Sequence, residues 1–206
     1  EVFIKLNSSI FEFFSNLIFS MKIGIVCYPT FGGSGVVATE LGMALADKGH
    51  EVHFITYNQP VRLDFISHHL HFHQVLLEEY PLFEYQPYEL ALSSKMVEVV
   101  EKHQLEVLHV HYAIPHAYAA FMAKQMLKEK GISVKVVTTL HGTDITLVGS
   151  HPTYKTAVEF SINNSDVVTA VSNDLKTTTN RLFNINKDIK VIYNFIDVDK
   201  YDNANQ

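Results

Sequence analysis

The chain has 206 residues, 47% of them hydrophobic, and a formal net charge of −6. That length and apolar fraction suit one domain with a substantial core, and the acidic balance leaves no basic stripe for nucleic acid or an anionic membrane surface. A single cysteine, Cys27, excludes an intramolecular disulfide and fits a reducing compartment.

Residues 1–20, EVFIKLNSSIFEFFSNLIFS, are aromatic and apolar but interrupted by Asn7, Glu12 and Asn16. The run is too short and broken for a membrane span. It also lacks the basic start and small-residue cleavage site of a signal peptide. Met21-Lys22-Ile23 reads as a natural start. Residues 1–20 are therefore expected to be an upstream extension, and the protein to be cytoplasmic.

From there strand and helix patterns alternate. KIGIVCY (22–28) is a short apolar run, as a strand buried on both faces requires. A glycine-rich loop follows, then a helix with Val37, Leu41 and Leu45 at i, i+4 and i+8, expected to face inward. Gly49 stands where a helix C-terminal glycine belongs. EVHFITY (51–57) and HFHQVLL (71–77) read as strands. Pro87 opens a helix to about His103, with Leu90, Met96, Val97 and Val100 expected inward. EVLHVHY (106–112) is a strand, and Pro115 lies near the start of a helix ending before Gly131. VKVVTTL (134–140) is a strand, followed by a loop with Gly142 and Gly149. A helix over 153–164, a strand at 166–171, a helix from Asn173 and a strand at 189–194 complete the chain.

This alternation predicts an α/β fold with a doubly wound, Rossmann-like parallel sheet. Ligands of such sheets sit beyond the carboxyl ends of the strands. The candidates there are the Gly32–Gly35 loop, Tyr57-Asn58, His111-Tyr112 and Thr139-Leu140-His141-Gly142. Four separate strands carry them, yet the fold brings them to one edge.

Gly33-x-Gly35-x-x-Ala38 formally satisfies the dinucleotide pattern G-x-G-x-x-G/A between a strand and a helix. Glycine lets a phosphate approach the backbone, and the helix N-terminus offers free N–H groups. A dinucleotide site also wants an acid after the second strand to hold the ribose. That strand ends in Tyr57-Asn58-Gln59, which counts against NAD. No G-x-x-x-x-G-K-[ST] is present, so a P-loop is excluded. Three glycines and Ser34 exceed what a bare turn needs, and an anion or phosphate ligand is the expectation.

His69, His71 and His73, and separately His109 and His111, fall on single strand faces. Imidazoles at i and i+2 can share a zinc ion, but no cysteine or paired carboxylate completes either set. The first cluster reads as structural or surface, and no site metal is expected. His111 and His116, at a strand end, are better site candidates. TTLHGTD (138–144) gathers Thr139, His141, Thr143 and Asp144, hydroxyls and an imidazole able to hold a carboxylate or a sugar hydroxyl, with a capped turn at Asp144 as the alternative. Ser172 or Asn173 reads as a helix N-cap, and Cys27 as a buried thiol rather than a nucleophile. No Ser-His-Asp order, G-x-S-x-G or paired carboxylate can be assigned. A substrate-positioning enzyme fits better than one with a protein nucleophile.

The stretches KIGIVCYPTFGGSGVVATELGMALADKGHEVHFIT, YPLFEYQPYELALSSKM, HVHYAIPHAYAAFMAKQML and VVTTLHGTDITLVG closely resemble the retaining glycosyltransferases of the two-Rossmann-domain B fold. Within them, the match is to the family of malate N-acetylglucosaminyltransferases that begins bacillithiol biosynthesis, from Met21 to about Tyr201. The resemblance implies transfer of N-acetylglucosamine from UDP-N-acetylglucosamine to the hydroxyl of L-malate, with retention and without a bound metal or other cofactor. It implies that Gly32, Gly33, Ser34 and Gly35 face the donor diphosphate, that Asn58, Tyr112, Thr139 and His141 hold the acceptor and the transferred sugar, and that His141 and Ser34 serve catalysis. Retention implies front-face attack, with the donor phosphate helping to deprotonate the acceptor.

By the same resemblance, residues 21–194 are an N-terminal acceptor domain. Residues 195–206 begin a hinge toward a C-terminal nucleotide-sugar domain that is expected to be missing. Weak donor binding and no turnover by this chain alone follow as expectations. UDP-sugar and L-malate are the expected partners, with a homo-oligomer left open and neither nucleic acid nor membrane expected. A related sugar transferase with another acceptor, or a non-catalytic Rossmann-type module, remains the alternative.

Overall fold

The computed structural model describes residues 20–63, 67–79 and 81–196. The extension read at residues 1–20 lies outside them apart from Ser20, and the hinge read at 195–206 lies outside them beyond residue 196.

Seven strands form one parallel sheet: β1 (Lys22–Val26), β2 (Glu51–Thr56), β3 (Leu70–Gln74), β4 (Val107–His111), β5 (Lys135–Leu140), β6 (Val167–Ala170) and β7 (Ile189–Val191). Their spatial order is β3-β2-β1-β4-β5-β6-β7. The chain therefore winds outward from β1 to β3, returns, and winds outward again from β4 to β7. The point of reversal lies between β1 and β4, where sheets of this kind open a crevice.

Helices α1 (Gly33–Asp47), between β1 and β2, and α2 (Tyr88–His103), α3 (Tyr118–Glu129), α4 (the single turn Thr143–Thr146), α5 (Pro152–Asn164) and α6 (Asn173–Leu182), between β3 and β7, make crossovers. A kinked turn over Ala113–Ala117, with Ile114 in an extended conformation, leads into α3. Strand alternation splits the core between the two faces. Ile23, Ile25, Val52 and Phe54 pack with Ala38 and Ala46 of α1. Val26, Ile55, Leu108 and Val110 pack with Met96 of α2 and Ala123 of α3. A third cluster ties Val158 and Ile162 of α5 and Leu175 of α6 to Leu140, Val168 and Ile189 of the β5–β7 side.

Two inward faces differ from the sequence reading. α1 buries Gly35, Ala38, Thr39, Gly42 and Ala46, not the Val37-Leu41-Leu45 stripe, whose members are only half-buried. The reason is close approach: a Cβ on Gly42 would overlap the Phe54 ring. Small residues let the helix seat on the sheet, and the larger ones flank the contact. In α2, Met96, Val97 and Val100 are buried as expected, but Leu90 is 63% exposed; Leu92 and Ser93 take the inward position instead.

The punctuation follows the sequence. Gly49 and Gly131 take positive φ, +89° and +74°, just past the ends of α1 and α3. Ser172 caps α6 by accepting the Leu175 N–H at 3.0 Å. Cys27 is fully buried, and burial pushes its thiol up to about 12, which leaves it inert.

Candidate active site

The glycine turn leaves β1 and starts α1. Gly32 is the N-cap and supplies no side-chain cap, while its carbonyl accepts from the N–H groups of Gly35 and Val36 at 3.1 and 3.2 Å. The glycines differ in what they are for. A Cβ on Gly35 would meet the backbone oxygens of Tyr28 and Thr30, so the turn itself requires glycine there. A Cβ on Gly33 would meet nothing within 4 Å, and one on Gly32 only the Thr30 hydroxyl at 3.5 Å. Packing therefore explains Gly35 and leaves Gly32 and Gly33 as open backbone at a helix N-terminus, the geometry that receives an anion. Ser34 stands between Gly33 and Gly35, half-buried.

β4 delivers the second group. Tyr112 follows its last residue with φ +88°, a conformation that costs a non-glycine residue energy and that the surroundings must enforce. Its N–H is held by the Thr139 carbonyl at 2.9 Å. Its ring centroid lies 5.5 Å from that of Tyr28 and 5.3 Å from that of His141. Tyr28, Tyr112 and His141 thus make a continuous aromatic line across the ends of β1, β4 and β5.

β5 delivers the third. His141 Nε2 lies 2.8 Å from His111 Nδ1. Burial, reinforced by the neighbouring imidazoles, holds His111 well below its usual range and pushes His141 down to about 4, so both are neutral at pH 7. Asp144 fixes the loop: its Oδ1 accepts the N–H groups of His141 and Gly142 at 3.2 and 3.0 Å, and its Oδ2 that of Ala113 at 3.0 Å. One carboxylate so ties the β5 loop to the β4 loop. Burial raises its pKa against these donors.

Thr139 is engaged within the protein. Its Oγ1 lies 2.7 Å from His109 Nε2 and 2.8 Å from Thr169 Oγ1, and it is 9% exposed. Asn58 stands exposed at the end of β2, its carbonyl accepting from the Thr56 hydroxyl at 2.5 Å. Among the described residues no hydrogen bond or ring contact joins Asn58 to Tyr112, Thr139 or His141. The structure therefore groups Tyr112, Thr139 and His141 tightly, sets the glycine turn beside them through Tyr28, and leaves Asn58 further along the edge.

A cleft of about 790 Å³ opens at this edge, walled by Tyr28, Tyr88, Tyr112, Pro115, Asp144 and Tyr154 among others. Of the residues singled out from the sequence, Tyr112, Thr143 and Asp144 stand in its wall. Tyr28 and Tyr88 were not singled out from the sequence, because lone tyrosines carry no spacing signal. Three buried polar atoms near it have no hydrogen-bond partner among the described residues: Tyr88 Oη, His116 Nε2 and His111 Nε2. The His116 Nδ1–H donates to the His111 carbonyl, so its Nε2 is an unpaired acceptor. Orphaned groups of this kind are rare in folded proteins and mark places where a ligand or water completes the bonding.

The chain is 55% identical over 177 residues to the N-acetyl-alpha-D-glucosaminyl L-malate synthase of Bacillus anthracis, a match that covers 86% of this chain and 46% of that protein. The chain so spans about half the length of the curated relative it matches. Its fold matches a glycosyltransferase from Rickettsia africae with a TM-score of 0.66 at 19% identity, over 91% of this chain and 46% of that one. It matches the catalytic domain of starch synthase IV from Arabidopsis thaliana, solved with ADP and acarbose, with a TM-score of 0.58 at 17% identity, over 88% and 53%. Residues 31–200 fit the family model, which begins within the glycine turn and spans every element from α1 to β7, so the chain belongs to Glycosyltransferase Family 4.

Proposed function

We propose that this chain forms the acceptor-side wall of an enzyme that moves N-acetylglucosamine from UDP-N-acetylglucosamine to L-malate, the first step of bacillithiol biosynthesis, with retention of configuration. The observation that carries the reading is the 55% identity to the malate synthase over 177 residues. The strand-end geometry supports it independently.

Gly32, Gly33 and Ser34 present open backbone at the N-terminus of α1 for the donor diphosphate. Tyr112 and His141 meet the acceptor, and Asn58 and Thr139 belong to the same edge. His111 and His141 share one proton between Nδ1 and Nε2. Placing it on His111 leaves His111 Nε2 a lone pair rather than a buried, unpaired N–H, which is the less costly arrangement. His141 then carries its own proton on Nδ1 and donates to a malate carboxylate as a neutral group. Thr139 acts beneath it, fixing His109 below the site.

In the transfer, the bond from sugar C1 to the UDP oxygen breaks and the bond from C1 to the malate hydroxyl oxygen forms on the same face. The malate hydroxyl proton passes to the departing diphosphate, so no protein base is needed. Ser34 and His141 hold the two reactants in register. Calorimetry with L-malate and with succinate, which lacks the hydroxyl, tests the acceptor assignment. L-malate is expected to bind more tightly than succinate, and His141→Ala to weaken it; equal, unaffected binding of both acids would refute the assignment.

A further inference from the structure

The densest set of titratable side chains outside this edge lies on β2, β3 and the end of α2. His53 of β2 pairs with His71 of β3, and Ile55 with His73, so His53, His71 and His73 share a sheet face. α2 covers that face, and its last residue, His103, brings its ring centroid to 4.5 Å from that of His53 and 5.0 Å from that of His73. Glu51 begins β2 on the same face, two residues before His53. Four imidazoles and one carboxylate thus converge from three elements.

We propose that His53, His73 and His103 form a binding site for a divalent first-row transition ion, Zn²⁺ foremost, which pins the end of α2 to the β2–β3 edge. One ring nitrogen from each lies within 4.8 Å of the other two. His53 Nδ1 and His73 Nε2 are 2.9 Å apart. Nitrogen ligands around a tetrahedral ion, with bonds of about 2.0–2.1 Å, stand roughly 3.3 Å apart. A small opening of the pair, with a metal replacing the shared proton, gives that spacing. His103 Nε2 is buried and has no hydrogen-bond partner among the described residues.

The surroundings are those of a metal ligand. Glu51 Oε1 lies 3.0 Å from His53 Nε2. A carboxylate accepts, so the His53 proton sits on Nε2 and its Nδ1 lone pair is aimed at His73. Carboxylates orient metal-bound imidazoles in this way. Burial, the largest influence, keeps His53 and His73 near 4, in the neutral form that binds metal. An all-imidazole set favours zinc, copper or nickel over magnesium or calcium. A second triad, Glu51, His53 and His71, is less suited: Lys22 Nζ lies 3.7 Å from Glu51 Oε2, and Oε1 already holds His53.

The test is titration of the metal-free chain with Zn²⁺ by calorimetry and thermal melting, with Co²⁺ as a spectroscopic substitute. One equivalent is expected to bind and raise Tm, and Co²⁺ to show the visible absorption of a tetrahedral site. His103→Asn, at the last residue of α2, is expected to abolish stoichiometric binding. Glu51→Gln should weaken it roughly 10–100-fold, while His71→Asn and His141→Asn retain it. Absence of one-equivalent binding by the native chain, or its survival in His103→Asn, would overturn the proposal.

Discussion

His141 meets His111 across the β4–β5 pair, Nε2 to Nδ1, at 2.8 Å. His109 stacks behind His111 at 4.7 Å between ring centroids, and its Nε2 reaches Thr139 at 2.7 Å. The strand-end site therefore rests on a layer of neutral imidazoles and hydroxyls, and its chemistry and the stability of the sheet depend on the same groups.

That layer sets a pH dependence. His109, His116 and His141 are pushed down to about 4 by burial, and His111 lies well below its usual range. The unfolded chain protonates these groups near 6.5 while the folded one does not. Their contribution is complete above pH 6.5 and is lost as pH falls toward 4, by up to about 1.4 kcal/mol per pH unit for each imidazole. Asp144, raised by burial, works in the opposite direction above its unfolded value, but one carboxylate is outnumbered by four imidazoles. Urea midpoints should drop between pH 7 and pH 5; a flat profile would show that the imidazoles are not buried neutral.

Thr139→Val keeps the shape of the side chain and removes its hydroxyl. His109 Nε2 and Thr169 Oγ1 each lose the partner they have in Thr139. The expected cost is about 1–3 kcal/mol, read by chemical denaturation. Unchanged stability would mean that water replaces the hydroxyl.

Asp144→Asn puts an NH₂ against at least one of the three N–H groups that the carboxylate accepts. A loss of about 1.5–3 kcal/mol is expected, together with weaker L-malate binding as the His141 loop loosens. A variant as stable as the parent would remove Asp144 as the tie between the two loops.

Gly35 and Gly33 separate packing from binding. Gly35→Ala forces a Cβ against the Tyr28 and Thr30 carbonyls; it should cost about 1–3 kcal/mol and lower Tm by several degrees. Gly33→Ala has open space and should fold normally, yet weaken UDP-sugar binding. Equal donor affinity in the parent and Gly33→Ala would argue that the turn holds no diphosphate.

The strands were legible because parallel, doubly covered strands are apolar runs bounded by turn residues, as KIGIV and VVTTL are. The seating of α1 was not: Val37, Leu41 and Leu45 have the right period, but Gly42 under Phe54 decides which side faces in, and only the contact reveals it. The sequence showed that Gly32–Gly35 was richer in glycine than a turn needs, without telling Gly35, fixed by packing, from Gly33. The imidazole group at His53 was hidden because its members come from β2, β3 and α2, and only register and helix docking bring them together. Asp144 reads from the sequence as a ligand-holding group with a turn cap as the alternative; in the fold it caps the turn, and its second oxygen reaches Ala113, 31 residues earlier.

The most direct test of the central claim is an amide ¹H–¹⁵N spectrum of the chain with L-malate, with UDP-N-acetylglucosamine, and with both. The account predicts shifts at Gly33, Ser34 and Gly35 with the donor, and at Tyr112, His141 and Gly142 with malate. No shift with either ligand, or shifts confined to other parts of the chain, would contradict it.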